Sequence, residues 1–278
     1  LASIFSFSKA KISVSSRVTP FDTYKNANVI FSKGWFLKRF FPIVHWRANV
    51  MTCVSKDMIN QYQKLFGKTK QKYVYNIVKT ADAELKIKEK VYHKWFNKKS
   101  DQIIVASGML AEWKGFDDLI KAASILDKQR YNFKLIIIGS GPEKKSLNNL
   151  IRLFKLQKKV MILKPVMNVL KYFKNSDIFV LSSRVEGMPN VMIEAMMCGC
   201  TIVATNCKTG PREILSNNKY GYLSKVNNPE DLSDNIIKSF KKKISKNKTK
   251  KIIEMFSTRK VIKRHFYLLK IKKKYWMI

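Results

Sequence analysis

An α/β fold built on doubly wound parallel sheets is the architecture that these 278 residues predict. Three observations point to it. Short runs rich in Ile, Val and Leu alternate with longer segments of helical apolar spacing from Asp101 to Phe240. Glycines follow several of the strand-like runs, at Gly108, Gly139 and Gly187, where open parallel sheets place their ligands. No solenoid-like repeat competes with this alternation.

Taken in order, residues 1–98 read as the later part of one domain. KISVSS alternates as a strand over 11–16 and ends at Arg17, before a turn at Pro20. An apolar helical stretch around Trp35–Val44 precedes a strand at Val50–Val54. Ser55 then caps a helix over Lys56–Phe66 that stops at Gly67. A third strand is expected at Tyr73–Ile77, followed by a Lys-rich connector over 79–100. From Asp101 the pattern becomes regular. Strands are expected at Ile103–Ser107, Lys134–Ile138, 160–163, Ile178–Leu181, Thr201–Ala204 and 221–223. The helices between and after them are 116–130, 143–157 with Glu143 in its first turn, 167–175, one from Asn190, a short one opened by Gly210-Pro211-Arg212-Glu213, and Pro229–Phe240.

Composition narrows the class. An apolar fraction of 46% suits a globular core. The longest uncharged apolar run, Ala195–Cys207, lies between Glu194 and Lys208 and is too short to cross a bilayer. LASIFSFSKAK has the wrong order of charge and apolar residues for a signal peptide, and a first residue of Leu suggests a missing amino terminus. Cys53, Cys198, Cys200 and Cys207 form no metal-type pair and imply a reduced, cytoplasmic setting. The three histidines show no ligand spacing, and Asp-x-Asp is absent, so no metal is expected.

The net charge of +36 invites a polyanion-binding reading. Lys far exceeds Arg, and Ile and Asn are abundant, which matches AT-rich codon drift. Base readout would favour Arg, so no specific nucleic-acid partner is expected. The charge is uneven: residues 241–278 carry fifteen Lys/Arg against Glu254 alone. With Phe266, Tyr267, Leu268, Leu269, Tyr275 and Trp276 interleaved, this tail reads either as a segment lying on an anionic membrane or as a solvated closing helix.

The stretch Asp177–Thr205 carries the chemistry. It reads strand, loop, helix, strand, with Glu186, Gly187, Met188 and Pro189 in the loop and Asn190 at the helix start. A helix start offers free N–H groups and a positive dipole end to an anion such as a diphosphate. Glu194, on the helix, and Glu186, in the loop, supply carboxylate acceptors for hydroxyls. Each also has a plainer reading, Glu194 as a dipole complement and Glu186 as a solvated charge.

Glu186 and Glu194, inside EGMPNVMIEAMMCG, resemble the signature of retaining glycosyltransferases of family four, of the bacterial surface-polysaccharide type, with the GT-B fold. GMLAEWKGFDDLI, IIIGSGPEKKSL, the backbone at Lys164–Val166 and TGPREI are similar to further landmarks of that family, in the same order. The resemblance implies two Rossmann-like doubly wound domains, the first incomplete. Residues 1–98 would be a partial acceptor-side domain and connector, 99–240 the nucleotide-sugar donor domain, and 241–278 a basic aromatic helical segment. It implies that Lys114 contacts the donor diphosphate, that Glu194 holds the ribose and that Glu186 contacts the sugar. Gly187, Met188, Pro189 and Asn190 would take phosphate, and Gly108, Gly139 and Val166 would line the nucleotide pocket. Arg17 matches a cleft-facing acceptor position only loosely, and a solvated strand-end arginine is the stronger reading. Relatives usually carry an arginine where this chain has Met109.

The function so implied is retaining, metal-independent and cofactor-free transfer of a hexose or N-acetylhexosamine from a nucleotide sugar, UDP-linked, to a lipid-linked or surface-glycan acceptor. It would take place in the cytoplasm, on the inner face of the plasma membrane. The alternatives are a basic polyanion-binding α/β protein and a catalytically inactive glycosyltransferase fragment.

Overall fold

The computed structural model describes residues 11–17, 20, 28–67, 70–97 and 101–271. The chain separates into two packed units. The first comprises residues 1–77, 186–188 and 255–278; the second comprises 78–185 and 189–254. Among the described residues, 79–97 and 241–254 fall in the second unit and 255–271 in the first. The turn expected at Pro20, and Tyr275 and Trp276 of the tail, fall among or beside residues outside those described.

In the first unit three parallel strands follow the order β1 (Ser13–Ser16), β2 (Val50–Cys53), β3 (Gln71–Tyr73). Helix α1 (Lys33–Arg47) joins β1 to β2, and α2 (Lys56–Phe66) joins β2 to β3. Ser55 caps α2 by accepting the Met58 N–H, and Gly67 ends it at φ 69°, as the sequence predicts. Phe41 of α1 stacks on Phe66 of α2 with centroids 3.8 Å apart, and the Tyr62 hydroxyl donates to Ser16 Oγ at 2.6 Å. β3 lies earlier than the expected Tyr73–Ile77. Its partner β2 stops at Cys53, because Ser55 must turn to cap α2, so the chain beyond Val74 has no strand to pair with. Val74 and Tyr75 stay buried without a ladder.

The second unit holds a six-stranded parallel sheet in the order β6–β5–β4–β7–β8–β9. The strands are β4 (Gln102–Ser107), β5 (Phe133–Ile138), β6 (Val160–Leu163), β7 (Ile178–Leu181), β8 (Thr201–Thr205) and β9 (Tyr222–Ser224). Ahead of them lies α3 (Ala81–Lys86) in the connector. Among and after them come α4 (Phe116–Lys128), α5 (Lys144–Leu153), α6 (Leu170–Lys174), α7 (Asn190–Cys198), α8 (Pro211–Leu215) and α9 (Pro229–Lys241). β7 and β8 are buried at every residue, as a parallel sheet covered by helices on both faces requires. Ile104, Leu119, Ile120, Phe133, Leu135 and Ile236 lie in one core cluster that joins the sheet to α4 and α9.

Two helices are shorter than their apolar spacing suggests. α5 begins after Glu143, whose carboxylate accepts from the Ser146 hydroxyl at 2.6 Å, and it ends before Lys155, which adopts φ 55°. α6 starts only at Leu170, because the Asn168 side chain takes the Leu170 N–H at 3.0 Å in place of a helical carbonyl.

α10 (Lys246–Glu254) belongs to the second unit and α11 (Thr258–Leu268) to the first. Ile252, Ile253, Phe256 and Val261 are buried, and Phe256 stacks on Tyr75 at 4.6 Å. Arg264 lies 3.6 Å over the Tyr73 ring and donates to the Tyr73 carbonyl at 2.7 Å. Much of the tail's apolar content is therefore spent on packing, and among its described residues only Tyr267 is a large, well-exposed apolar side chain. No helix among the described residues is long and apolar enough to cross a membrane. The four cysteines are buried thiols outside any disulfide, and burial pushes the Cys198 thiol up to about 12, so it stays protonated.

Phe179, fully buried on the central strand β7, tests how far the core depends on this sheet. Phe179→Ala is expected to cost roughly 3–5 kcal/mol, read as a lowered urea midpoint.

Candidate functional site: the carboxyl ends of β4 and β7

The strand order runs outward from β4 through β5 to β6, and from β7 through β8 to β9. Successive crossovers therefore leave in opposite directions from β4 and β7, and the crevice beyond their carboxyl ends is the topological switch point. The loops that fill it are 108–115 after β4, with a 3-10 turn at Glu112–Lys114, and Ser182–Pro189 after β7.

These loops meet backbone to backbone. The Arg184 N–H donates to the Trp113 carbonyl at 2.8 Å, and the Ser182 hydroxyl donates to the Lys114 carbonyl at 2.8 Å. Gly115 adopts φ 62°, and a β-carbon there would lie 2.2 Å from the Ser182 carbonyl oxygen. Only glycine allows that turn and that approach.

A guanidinium locks the contact. Arg184 forks onto Asp117, with two contacts of 2.9 Å, and reaches Asp118 at 2.8 Å; both aspartates lie in the first turn of α4. The same side chain donates to the Glu112 carbonyl and to Asn227 Oδ1. Burial pushes the Asp117 carboxyl up, but hydrogen bonds and charge from Arg184, with help from Lys121, outweigh it and hold the group below its ordinary value. A bidentate pair of this kind is held more firmly than an open surface pair.

Lys114 rides on this platform. It is half-buried, and a β-carbon on Gly108 would sit 3.5 Å from its Cε, so the end of its stem passes over the Gly108 backbone. Next to Gly108 is a cleft of about 310 Å³ at the ends of β4, β5 and β6. Ser107, Gly108, Met109, Gly139, Pro165 and Val166 are among its walls. Gly139 is needed because a β-carbon there would come 2.0 Å from the Gly108 carbonyl oxygen. The cleft's walls are mostly apolar, with Ser107 and Ser140 among them, a lining that suits a flat heterocycle. Met109 is exposed beside it, where a cation was expected.

α7 begins at Asn190 with Pro189 in the cap position and no side-chain cap. Glu194 lies one turn on, half-buried, and burial raises its carboxyl pKa. No described residue donates a hydrogen bond to that carboxylate. A desolvated acceptor without a protein donor is a costly group, and its cost falls when a ligand supplies hydroxyls.

The structure thus brings together Gly108, Gly139 and Val166 around one cleft, and sets Lys114 beside Gly108. It places Pro189, Asn190 and Glu194 at the start of α7, after the neighbouring strand. Glu186, Gly187 and Met188 lie in the loop after β7 and pack with the first unit, as does Arg17, exposed just beyond β1. Sequence reasoning missed Arg184. Asp117 and Asp118 read as ordinary first-turn acids, and their partner is 67 and 66 residues away. Among the described residues, no three His, Cys, Asp or Glu side chains converge as metal ligands.

This arrangement has relatives. The profile described as "Glycosyl transferases group 1" matches residues 87–256, more than half of the chain. The chain belongs to the glycosyl transferase group 1 family. It is 35% identical over 205 residues to an uncharacterized glycosyltransferase of Methanocaldococcus jannaschii, covering 72% of this chain and 49% of the relative. A Campylobacter jejuni protein named N-acetylgalactosamine-N,N'-diacetylbacillosaminyl-diphospho-undecaprenol 4-alpha-N-acetylgalactosaminyltransferase is 27% identical over 226 residues, or 81% of this chain and 59% of that protein. The chain spans about half the length of the curated relatives it matches most strongly. S. aureus TarM superposes with a TM-score of 0.77 at 20% identity, over 96% of this chain and 52% of that one. Anabaena HepE, solved with UDP and glucose, superposes at 0.73 and 17% identity, over 92% and 71%. The fold of this family member is that of the GT-B glycosyltransferases, as the sequence predicts.

Arg184→Lys keeps the charge but loses the fork. It is expected to lower the unfolding free energy by roughly 2–3 kcal/mol in urea titrations. The pH dependence has a defined sign. Folding lowers the Asp117 pKa, so its contribution is whole above the unfolded carboxylate range, about pH 4, and fades as pH falls through the lower folded value. The wild-type advantage over Arg184→Lys therefore shrinks on acidification below about pH 4.

Proposed function

We propose that this chain carries the donor site of a retaining glycosyltransferase of family four. It would transfer a hexose or N-acetylhexosamine from a UDP-sugar to a lipid-linked or surface-glycan acceptor, at the cytoplasmic face of a membrane. The observation that carries the reading is Glu194: a half-buried carboxylate with a raised pKa and no donor among the described residues, one turn into an uncapped helix. Ribose hydroxyls are the complementary group. The base would occupy the cleft of Gly108, Gly139 and Val166. The diphosphate would lie between Lys114 and the backbone of Met188–Asn190, and Glu186 would contact the sugar. Arg17 is the candidate on the acceptor side.

In this reading the bond from C1 of the sugar to the diphosphate breaks, and the acceptor hydroxyl forms the new bond on the same face. Its proton passes to a phosphate oxygen of the departing diphosphate. The protein contributes position and charge stabilisation: Lys114 and the α7 dipole meet the negative charge that builds on the leaving group. No step calls on a metal or a resident cofactor. HepE and TarM, whose structures hold UDP, support the choice of nucleotide, and the Campylobacter relative's name supports a lipid-linked acceptor.

Calorimetric titration with UDP, GDP and ADP tests the reading. UDP is expected to bind tightest, and Glu194→Gln and Lys114→Ala each to weaken it about tenfold, roughly 1.4 kcal/mol. Binding of RNA or heparin should be unchanged in both variants. The opposite pattern, steep polyanion binding with no response to UDP, would favour the basic scaffold reading. Glu194 makes a second, independent prediction. Burial raises its pKa, so the folded state is penalised as pH rises through the folded value, and Glu194→Gln removes that penalty. Without nucleotide the variant should melt on the order of 2 °C higher at pH 7, with the difference gone near about pH 4.

A further inference from the structure

A cation on the loop after β7 stands in the right neighbourhood to bind a diphosphate, yet the Arg184 guanidinium is fully committed within the protein. A guanidinium has five N–H donors, and here all five are used. Nε donates to Asn227 Oδ1 at 2.7 Å, and the two terminal nitrogens fork onto Asp117 at 2.9 Å each. Their remaining hydrogens go to Asp118 Oδ2 at 2.8 Å and to the Glu112 carbonyl. Lys121 closes the cluster with contacts of 3.2 Å to both aspartates. Two carboxylates against two cations leave no net charge. Neither a donor nor a charge is left over for a ligand, so Arg184 can serve recognition only through other residues.

The backbone shows which residue that is. Glu112, Trp113 and Lys114 form the 3-10 turn, and the loop after β7 holds all three of their carbonyls. The Glu112 carbonyl accepts from the Arg184 side chain, and that of Trp113 from the Arg184 N–H at 2.8 Å. The Lys114 carbonyl accepts from the Ser182 hydroxyl at 2.8 Å. Residue 184 thus supplies two of the three contacts. The Lys114 side chain leaves this turn to pass over Gly108, so its direction follows from carbonyls that Arg184 holds. A lysine at 184 would keep the charge and the backbone N–H. Its single ammonium cannot span acceptors on the turn, on α4 and on the loop of Asn227.

We infer that Arg184 is the positioning residue for Lys114, aiming its ammonium at the donor diphosphate without touching the ligand itself. This rests on the donor-site reading above, and the two can fail separately.

UDP affinity is measured by calorimetry for the full chain, Arg184→Lys, Lys114→Ala and the double variant, at a temperature where circular dichroism shows all four folded. Arg184→Lys is expected to weaken UDP about fivefold in the native chain, and less than roughly twofold when residue 114 is already Ala. Leu126→Ala is the destabilised control: Leu126 is fully buried, about two turns beyond Asp118 on α4, and its loss should leave UDP affinity unchanged. Hydrogen exchange without nucleotide gives a second readout. The Lys114 and Gly115 amides, bonded to the Ala111 and Glu112 carbonyls, should exchange about fivefold faster in Arg184→Lys and not in Leu126→Ala. An equal loss of UDP affinity in both Lys114 backgrounds overturns the inference, since Arg184 would then meet the nucleotide or act on the cleft at large. So does a folded Arg184→Lys chain that binds UDP as the wild type does. If the wild type binds no UDP, the donor reading falls, and exchange alone judges the positioning: a turn as protected in Arg184→Lys as in the wild type overturns it.

Discussion

The second unit depends on one close approach, the backbone of Gly115 against the carbonyl of Ser182. It joins the ends of β4 and β7, the two strands where the direction of winding reverses. A side chain at Gly115 would force the loops apart, and Lys114, one residue earlier, would move with them. Arg184 secures the same junction by clasping Asp117 and Asp118, so a positive dipole-side anchor and a backbone contact act on a single point. Such rigidity fixes a lysine that a loop alone would hold poorly.

Glu194 shows the other side of this economy. Its carboxyl is drawn out of water on a helix that supplies no donor to it, which costs stability in the free protein. The nearby first turn of α7 is also uncapped. Both features are liabilities in a chain that binds nothing. Both would become favourable with the hydroxyls and phosphate of the proposed donor in place. On the proposed reading, stability is given up where recognition is required.

The parallel architecture was legible because its signal is local. β6 and β7 fall on the residues expected, and α2 begins and ends where Ser55 and Gly67 indicate. The misplaced elements have non-local causes. β3 is set by where β2 stops, and α6 is delayed by an asparagine side chain that competes for a backbone N–H. Among the site residues, Gly108, Gly139 and Val166 were named from the sequence and do line one cleft. Arg184 was invisible, because nothing in its neighbourhood announces partners nearly seventy residues away.

Sequence by itself determined the alternation of strands and helices, the glycines at strand ends, the two glutamates of the central stretch and the excess of cations. Each of these is a property of neighbouring residues or of simple counts. Only the tertiary structure decided which strands adjoin, that Lys114 passes over Gly108, and that Ile252, Ile253, Phe256 and Val261 of the tail are buried while Phe36, Phe40 and Trp46 of α1 are exposed. Burial depends on what the rest of the chain packs against a residue. An apolar helix carries the same letters whether its face meets a core or is left open.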